Sequence, residues 1–130
     1  MQPSRLLALL ALLILWAMPL RAELALVMGE QAGCPWCARW DAEIATAYPK
    51  TPEGRAAPLR RVDIRAPLPD DLDLAESIRI TPTFVLTEDG REIDRREGYP
   101  GAAFFWPVLG EMLDDAAATV PELAGWRDGG

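Results

Sequence analysis

After residue 22 the apolar positions fall into short blocks with changing period. Glu23 to Met28 is nearly all apolar over a strand's length and predicts a buried strand. Gly29 to Gly33 reads as a loop. Trp36, Cys37, Trp40, Ile44, Ala47 and Tyr48 then recur at helical spacing, with Arg39, Asp41 and Glu43 between them. Pro35 suits the first turn of that helix, where a missing N–H costs nothing, and Pro49 ends it. Lys50 to Pro58 predicts a polar connecting loop.

Leu59 to Ile64 is the second strand candidate, and Ala66 to Pro69 a connector. Asp70 or Asp71 can cap a short helix reaching about Ser77. Thr83 to Thr87 has the β-branched and aromatic content of a strand, with Pro82 at its head, where a proline does not spoil a ladder. Glu88-Asp89-Gly90-Arg91 is a hairpin turn, and Glu92 to Glu97 its polar second strand. Ala102 to about Ala117 predicts a closing helix; Phe104, Phe105, Val108, Leu109, Met112 and Leu113 form its apolar side. Pro107 lies inside that pattern and should kink the helix or delay its start. Thr119 to Gly130 shows no period and should be loosely held. One parallel crossover and one hairpin make this an α/β chain with a mixed sheet and helices on both faces.

The N-terminus stands apart from this pattern. Leu6 to Met18 is an unbroken apolar run, preceded by Arg5 and closed by Pro19 and the small residue Ala22. That is the build of a signal peptide, cleaved after Ala22, although Leu20 is an imperfect residue three before the cut. The alternative is an uncleaved anchor, for which the run is short, since a membrane span needs about 20 residues. The expected organisation is therefore a signal peptide over 1–22, a domain over 23–117 and a loose tail over 118–130. Without Arg5 and Arg21 the chain carries 11 basic and 20 acidic residues, a net charge of −9, which disfavours nucleic acid and anionic membranes as partners.

Export leads to an oxidising compartment, where disulfides persist. Secreted domains of this size commonly spread several cysteines along the chain, but this one has only Cys34 and Cys37. A bridge between them closes a very small loop and removes little unfolded-state entropy, so it is a poor staple. The pair instead suits thiol–disulfide exchange. The attacking species must be a thiolate, and a cysteine at a helix N-terminus meets free N–H groups and the positive end of the dipole. Cys34, first and better exposed, is the expected nucleophile; Cys37, one turn on, resolves the mixed disulfide. Two cysteines without histidine make a closed four-ligand zinc site within one chain implausible, the lack of histidine excludes a Cys–His hydrolase, and no glycine-rich phosphate loop is present. Asp70, Asp71 and Asp73 read as a cap and a solvated face, not as metal ligands. Glu30 is either a proton acceptor near the pair or a solvated loop acid, and Trp40 reads as core.

A strand leading into Cys34-Pro35-Trp36-Cys37 and a helix, followed by Ile80-Thr81-Pro82-Thr83, a hairpin, Gly98 and a last helix, resembles the thioredoxin superfamily over about Leu24 to Asp115. Longer pieces, Cys34 to Ile44, Pro58 to Ile64 and Gly98-Tyr99-Pro100-Gly101, are similar to bacterial periplasmic thioredoxins encoded with sulfur-oxidation systems. The resemblance implies a thioredoxin fold, a mixed central sheet flanked by helices. It implies that Pro82 is cis and lies against the cysteines, leaving the Thr81 backbone free to pair with an extended substrate segment. It also implies a partner, a thiol of the sulfur-carrier machinery that the protein reduces. Trp36, between the cysteines, either touches that substrate or packs over the helix start. The chain departs from many thioredoxins in three places. Met28 stands where they carry a buried aspartate, Gly33 where they carry a tryptophan, and Pro35-Trp36 where they carry Gly-Pro.

The expectation is thus a periplasmic, monomeric thiol–disulfide oxidoreductase that reduces a protein disulfide or blocked thiol. It needs no metal and no cofactor, since no flavin or nicotinamide site is visible; electrons come from a membrane thiol donor. Two alternatives stay open, a disulfide donor or isomerase and a non-enzymatic redox-sensing module.

Overall fold

The computed structural model describes residues 21–129. The first 20 residues, most of the expected signal peptide, lie outside the described residues. Among the described residues no helix is long and apolar enough to cross a membrane.

Four strands form one mixed sheet in the order β2-β1-β3-β4. The apolar strands β1 (Leu24–Glu30) and β3 (Thr83–Glu88) are central; β2 (Leu59–Asp63) and the charged β4 (Arg91–Glu97) are edges. This follows from composition, because a central strand buries both faces while an edge strand meets water. β1 runs parallel to β2, with Leu26 opposite Leu59, and antiparallel to β3, with Met28 opposite Phe84. β3 returns into antiparallel β4 through Asp89 and Gly90, both at positive φ (50° and 81°), as a two-residue type I′ turn requires.

Even-numbered Leu24, Leu26, Met28, Phe84 and Leu86 face the main core. There they meet Trp40, Ile44 and Tyr48 from the first helical stretch and Phe105, Leu109, Met112 and Leu113 from the last. Trp40 is fully buried at its centre, with ring contacts to Tyr48, Phe84 and Phe105. The opposite face carries a smaller cluster of Val27, Val62, Leu72 and Val85.

The mixed sheet flanked by helices is as expected. Among the described residues, however, the helices pack on the main-core face, and the opposite face is covered by an irregular segment, not by the helices expected on both faces. Individual elements also differ. The first helix is α-helical over Pro35–Trp40 (α1), widens to a π-turn over Asp41–Ala45 and ends in a 3-10 turn, Tyr48–Lys50. Core residues Trp40, Ile44 and Tyr48 are spaced by four, slightly more than the 3.6 of an α-turn, and the wider turn keeps them in line. Part of the expected 50–58 loop is a helix, α2 (Pro52–Ala56). Thr51 caps it by accepting the Gly54 N–H at 3.0 Å, and Pro52 takes the first helical position.

The short helix expected over 70–77 does not form. Asp71, read as its cap, instead grips Arg60 through both carboxylate oxygens at 2.6 and 2.7 Å. The Asp73 N–H donates to the Gly90 carbonyl at 2.9 Å, and the Glu92 N–H donates to the Asp73 carbonyl at 3.0 Å. Backbone groups that a helix would use are committed to the start of β4, and Leu72 fills the second-face cluster. The last helix, α3 (Ala102–Ala117), begins where expected despite Pro107. The carbonyl left without a donor is that of Ala103, which is exposed to water.

Residues 118–129, expected to be loosely held, fold back on the domain. They form 3-10 turns at Pro121–Leu123 and Trp126–Asp128 and bury Val120, Leu123 and Trp126 in the main core. The Trp126 indole donates to Asp114 at 3.0 Å, and Arg127 stacks on the indole while pairing with the same carboxylate.

Candidate active site

β1 ends at Glu30, and a tight turn follows. The Cys34 N–H donates to the Gln31 carbonyl at 3.3 Å, and Gly33 holds φ +79° as third residue of the turn. That is a type II turn, which favours glycine there. It delivers Cys34 with extended backbone to the N-cap of α1, where its Sγ accepts the Cys37 N–H at 3.1 Å. Cys34 and Cys37 form a disulfide, with Cα atoms 5.3 Å apart. Cys34 is half-buried and Cys37 is 5% exposed, so the sulfur within reach of a partner is that of Cys34. An N–H aimed at this sulfur from a helix start favours its thiolate once the bridge is opened.

A second wall comes from the segment before β3. The Thr81-Pro82 peptide is cis, and the Thr81 carbonyl oxygen lies 3.5 Å from Cys34 Sγ. Gln31 Nε2 donates to Thr81 Oγ1 at 3.0 Å. Thr83 Oγ1 donates to the Ile80 carbonyl at 2.5 Å, and the Gly98 N–H donates to the Pro82 carbonyl at 2.7 Å. Pro82 is buried, Thr81 half-buried, and Ile80 exposed. The fold thus brings Cys34, Cys37 and Thr81-Pro82 together from positions nearly 50 residues apart. Trp36 stands at the surface between the cysteines, 53% exposed.

Trp36 has a neighbour that the sequence reading did not use. The Arg39 guanidinium lies 5.8 Å from the Trp36 ring and 6.0 Å from the Tyr99 ring. Glu43 accepts from Arg39 Nε at 2.8 Å and from the Tyr99 hydroxyl at 2.5 Å. These bonds from Tyr99 and Arg39 hold the Glu43 carboxyl below its usual range. Burial, and then the Glu43 carboxylate, push the Tyr99 phenol up to about 12. Arg39 and Glu43 sit at i and i+4, a spacing that signals such a pair, whereas the Tyr99 and Gln31 contacts span 56 and 50 residues and leave no local trace.

Glu30, one candidate proton acceptor, is committed elsewhere. Its carboxylate pairs with Arg61 at 2.7 Å; Arg61 also binds Asp41 at 2.5 Å and lies over the Trp40 ring at 5.5 Å. Met28 is fully buried in the same cluster as Cys37, so the place of the buried acid is apolar. Among the described residues no group of three or more metal-ligating side chains is found.

Neither a protein-family model nor a curated protein matches the chain. Among solved structures it matches the crystal structure of the reduced periplasmic thioredoxin SoxS from Paracoccus pantotrophus. The identity is 56% and the TM-score 0.70, over 72% of this chain and 99% of that one. The chain belongs to the thioredoxin superfamily. Its likeness to periplasmic thioredoxins of sulfur-oxidation systems, read from Cys34 to Ile44, Pro58 to Ile64 and Gly98 to Gly101, stands on the same match. With Cys34 and Cys37 at disulfide distance, this thioredoxin is a thiol–disulfide oxidoreductase.

Proposed function

We propose that the protein works in the periplasm as a reductant of a protein partner, a disulfide or blocked thiol on a sulfur-oxidation carrier. The observation that carries this is the half-buried Cys34 sulfur beside the Thr81 carbonyl, 3.5 Å away, with Cys37 shielded behind it. An extended substrate segment pairs with the Thr81 backbone, as in strand addition, and brings its sulfur to Cys34. The Cys34 thiolate attacks that sulfur. The substrate S–S bond breaks, and its other sulfur leaves as a thiolate and takes a proton from solvent. Cys37 then loses its proton to solvent and attacks Cys34 Sγ, closing the internal disulfide and releasing the second substrate sulfur as a thiolate that takes a proton from solvent. Two electrons have passed to the substrate. A membrane thiol donor reopens the Cys34–Cys37 bond for the next cycle. Pro82 shapes the segment from beneath, and Trp36 offers an exposed ring beside the incoming chain.

The signal-peptide pattern expected over 1–22 supports the compartment, as does the periplasmic location in the relative's name. The test is a Cys37→Ser variant expressed in the host. Mixed disulfides through Cys34 should accumulate and vanish when Cys34 is also replaced; their absence would overturn the exchange role. The direction of electron flow is read from the equilibrium with glutathione. A potential near about −270 mV fits a reductant, and one near about −120 mV would transfer the protein to the disulfide donors.

A further inference from the structure

Gln31 touches both walls of the site. Its main-chain carbonyl accepts the Cys34 N–H and so closes the turn that delivers the sulfur. Its side-chain amide crosses to the other wall and donates to Thr81 Oγ1 at 3.0 Å, in a half-buried position. The rest of that wall is held at neighbouring points, by Thr83 Oγ1 on the Ile80 carbonyl and by the Gly98 N–H on the Pro82 carbonyl. Neither bond reaches Thr81 itself. Among the hydrogen bonds of the described residues, the Thr81 side chain is held by Gln31.

We propose that Gln31 is a positioning residue that sets the width of the slot between Cys34 Sγ and the Thr81 backbone, and so tunes exchange toward substrates with an extended main chain. This rests on the reading that Cys34 attacks and that Thr81 pairs with substrate backbone. A substrate held by the Thr81 main chain needs that strand at a set distance and tilt from the sulfur. A small disulfide needs only the sulfur. Loss of the Gln31 bond frees Thr81 to turn and penalises the first kind of substrate alone. Such a bond is worth about two- to tenfold in an equilibrium or rate ratio. Amide chemistry also suits the place. A carboxylate of the same length could still accept from the Thr81 hydroxyl, but its charge on the Cys34 side would disfavour the thiolate.

The test uses the reduced protein and two probes: cystamine, and a linear ten-residue peptide whose central cysteine carries cysteamine as a mixed disulfide. Gln31→Ala should slow the peptide reaction about two- to tenfold and leave cystamine unchanged. Gln31→Asn, one methylene shorter, gives the same comparison should the alanine variant fold poorly. Thr81→Val should slow the peptide reaction as much as Gln31→Ala does, the double variant should react with the peptide no more slowly than either single, and Thr81→Ser should keep the wild-type peptide rate. Gln31→Glu should keep the peptide-to-cystamine ratio while moving the pH midpoint of both reactions upward. Equal slowing of both probes, no slowing of either, or additive losses in the double variant would overturn the clamp. If instead the wild-type protein does not favour the peptide, or Cys34→Ser still reacts, the underlying reading of the site fails first.

Discussion

The Tyr99 ring is buried, yet its hydroxyl reaches a partly exposed carboxylate. That bond and the Arg39 pair tie the 98–101 loop to α1 beside the reactive turn. Both ionisations work against breaking it within the ordinary pH range. The Tyr99 phenol is raised to about 12, so its contribution is complete below the unfolded value near 10 and is lost as pH rises through about 12. Glu43 is lowered, so its contribution is complete above the usual carboxylate range and is lost as pH falls through its depressed value. Tyr48, buried with its hydroxyl on the Ala57 carbonyl, is raised further than Tyr99 by desolvation. Tyrosinate absorbance at 295 nm should therefore show no ionisation near pH 10 while the protein is folded. The first step should come near 12 and disappear in Tyr99→Phe. Glu43→Gln should lower that step without bringing it to 10, because burial is the larger cause. A full tyrosine step at pH 10 in the folded protein would mean that Tyr99 is not held as described.

At the scale of elements, the legible parts were those whose signal is local. The strands, the Asp89-Gly90 hairpin and the helix after Cys34 follow from period and turn chemistry. So does the greater exposure of Cys34 than of Cys37, because a sulfur at a helix N-cap is the more accessible one. The expected 70–77 helix failed because Asp71 and Asp73 bind Arg60 and the start of β4, partners that a local capping argument does not contain. α2 was missed although Thr51-Pro52 carries a cap and a first-turn proline, since the stretch is too short and polar to show a period. In the C-terminal segment Val120, Leu123 and Trp126 recur every three residues, the repeat of a 3-10 turn and not of an α-helix. Their burial makes the segment part of the core. Trp126→Ala should cost about 3–5 kcal/mol in urea unfolding. Trp36→Ala, at an exposed ring, should stay within about 0.5 kcal/mol. Equal, small losses for the two tryptophans would return residues 118–129 to the status of a loose tail.

At the scale of the whole molecule, the two faces of the sheet are covered by unequal material. The main-core face holds the helices, the disulfide and the aromatic cluster around Trp40. The other face is covered by an irregular segment over 66–80, whose apolar anchors are Leu72, Leu74 and Ile78. Ile78 packs so closely that a Cβ on Gly29 would lie 2.6 Å from its Cδ1. Among the described residues, 66–80 donates backbone N–H groups to backbone carbonyls from Ala66, Leu72 and Asp73, and Ala75 donates to the Glu92 carboxylate. Exposed amides and few buried contacts place a segment at the low end of local stability. Hydrogen exchange should show Leu26, Val27, Val85 and Leu86 opening only with global unfolding, and residues 76–80 opening at much lower free energy. Leu72→Ala, which removes one of the anchors, should speed exchange over 66–80 by more than it lowers protection of β1 and β3. Equal protection across 76–80 and β1 would show one cooperative unit. The asymmetry bears on function because the loose segment runs directly into Ile80 and Thr81. One wall of the site is built on a central strand and a capped helix, and the other enters from a segment that makes few backbone hydrogen bonds. Thr83 and Gly98, with Gln31 at the site itself, are what hold that second wall against Cys34.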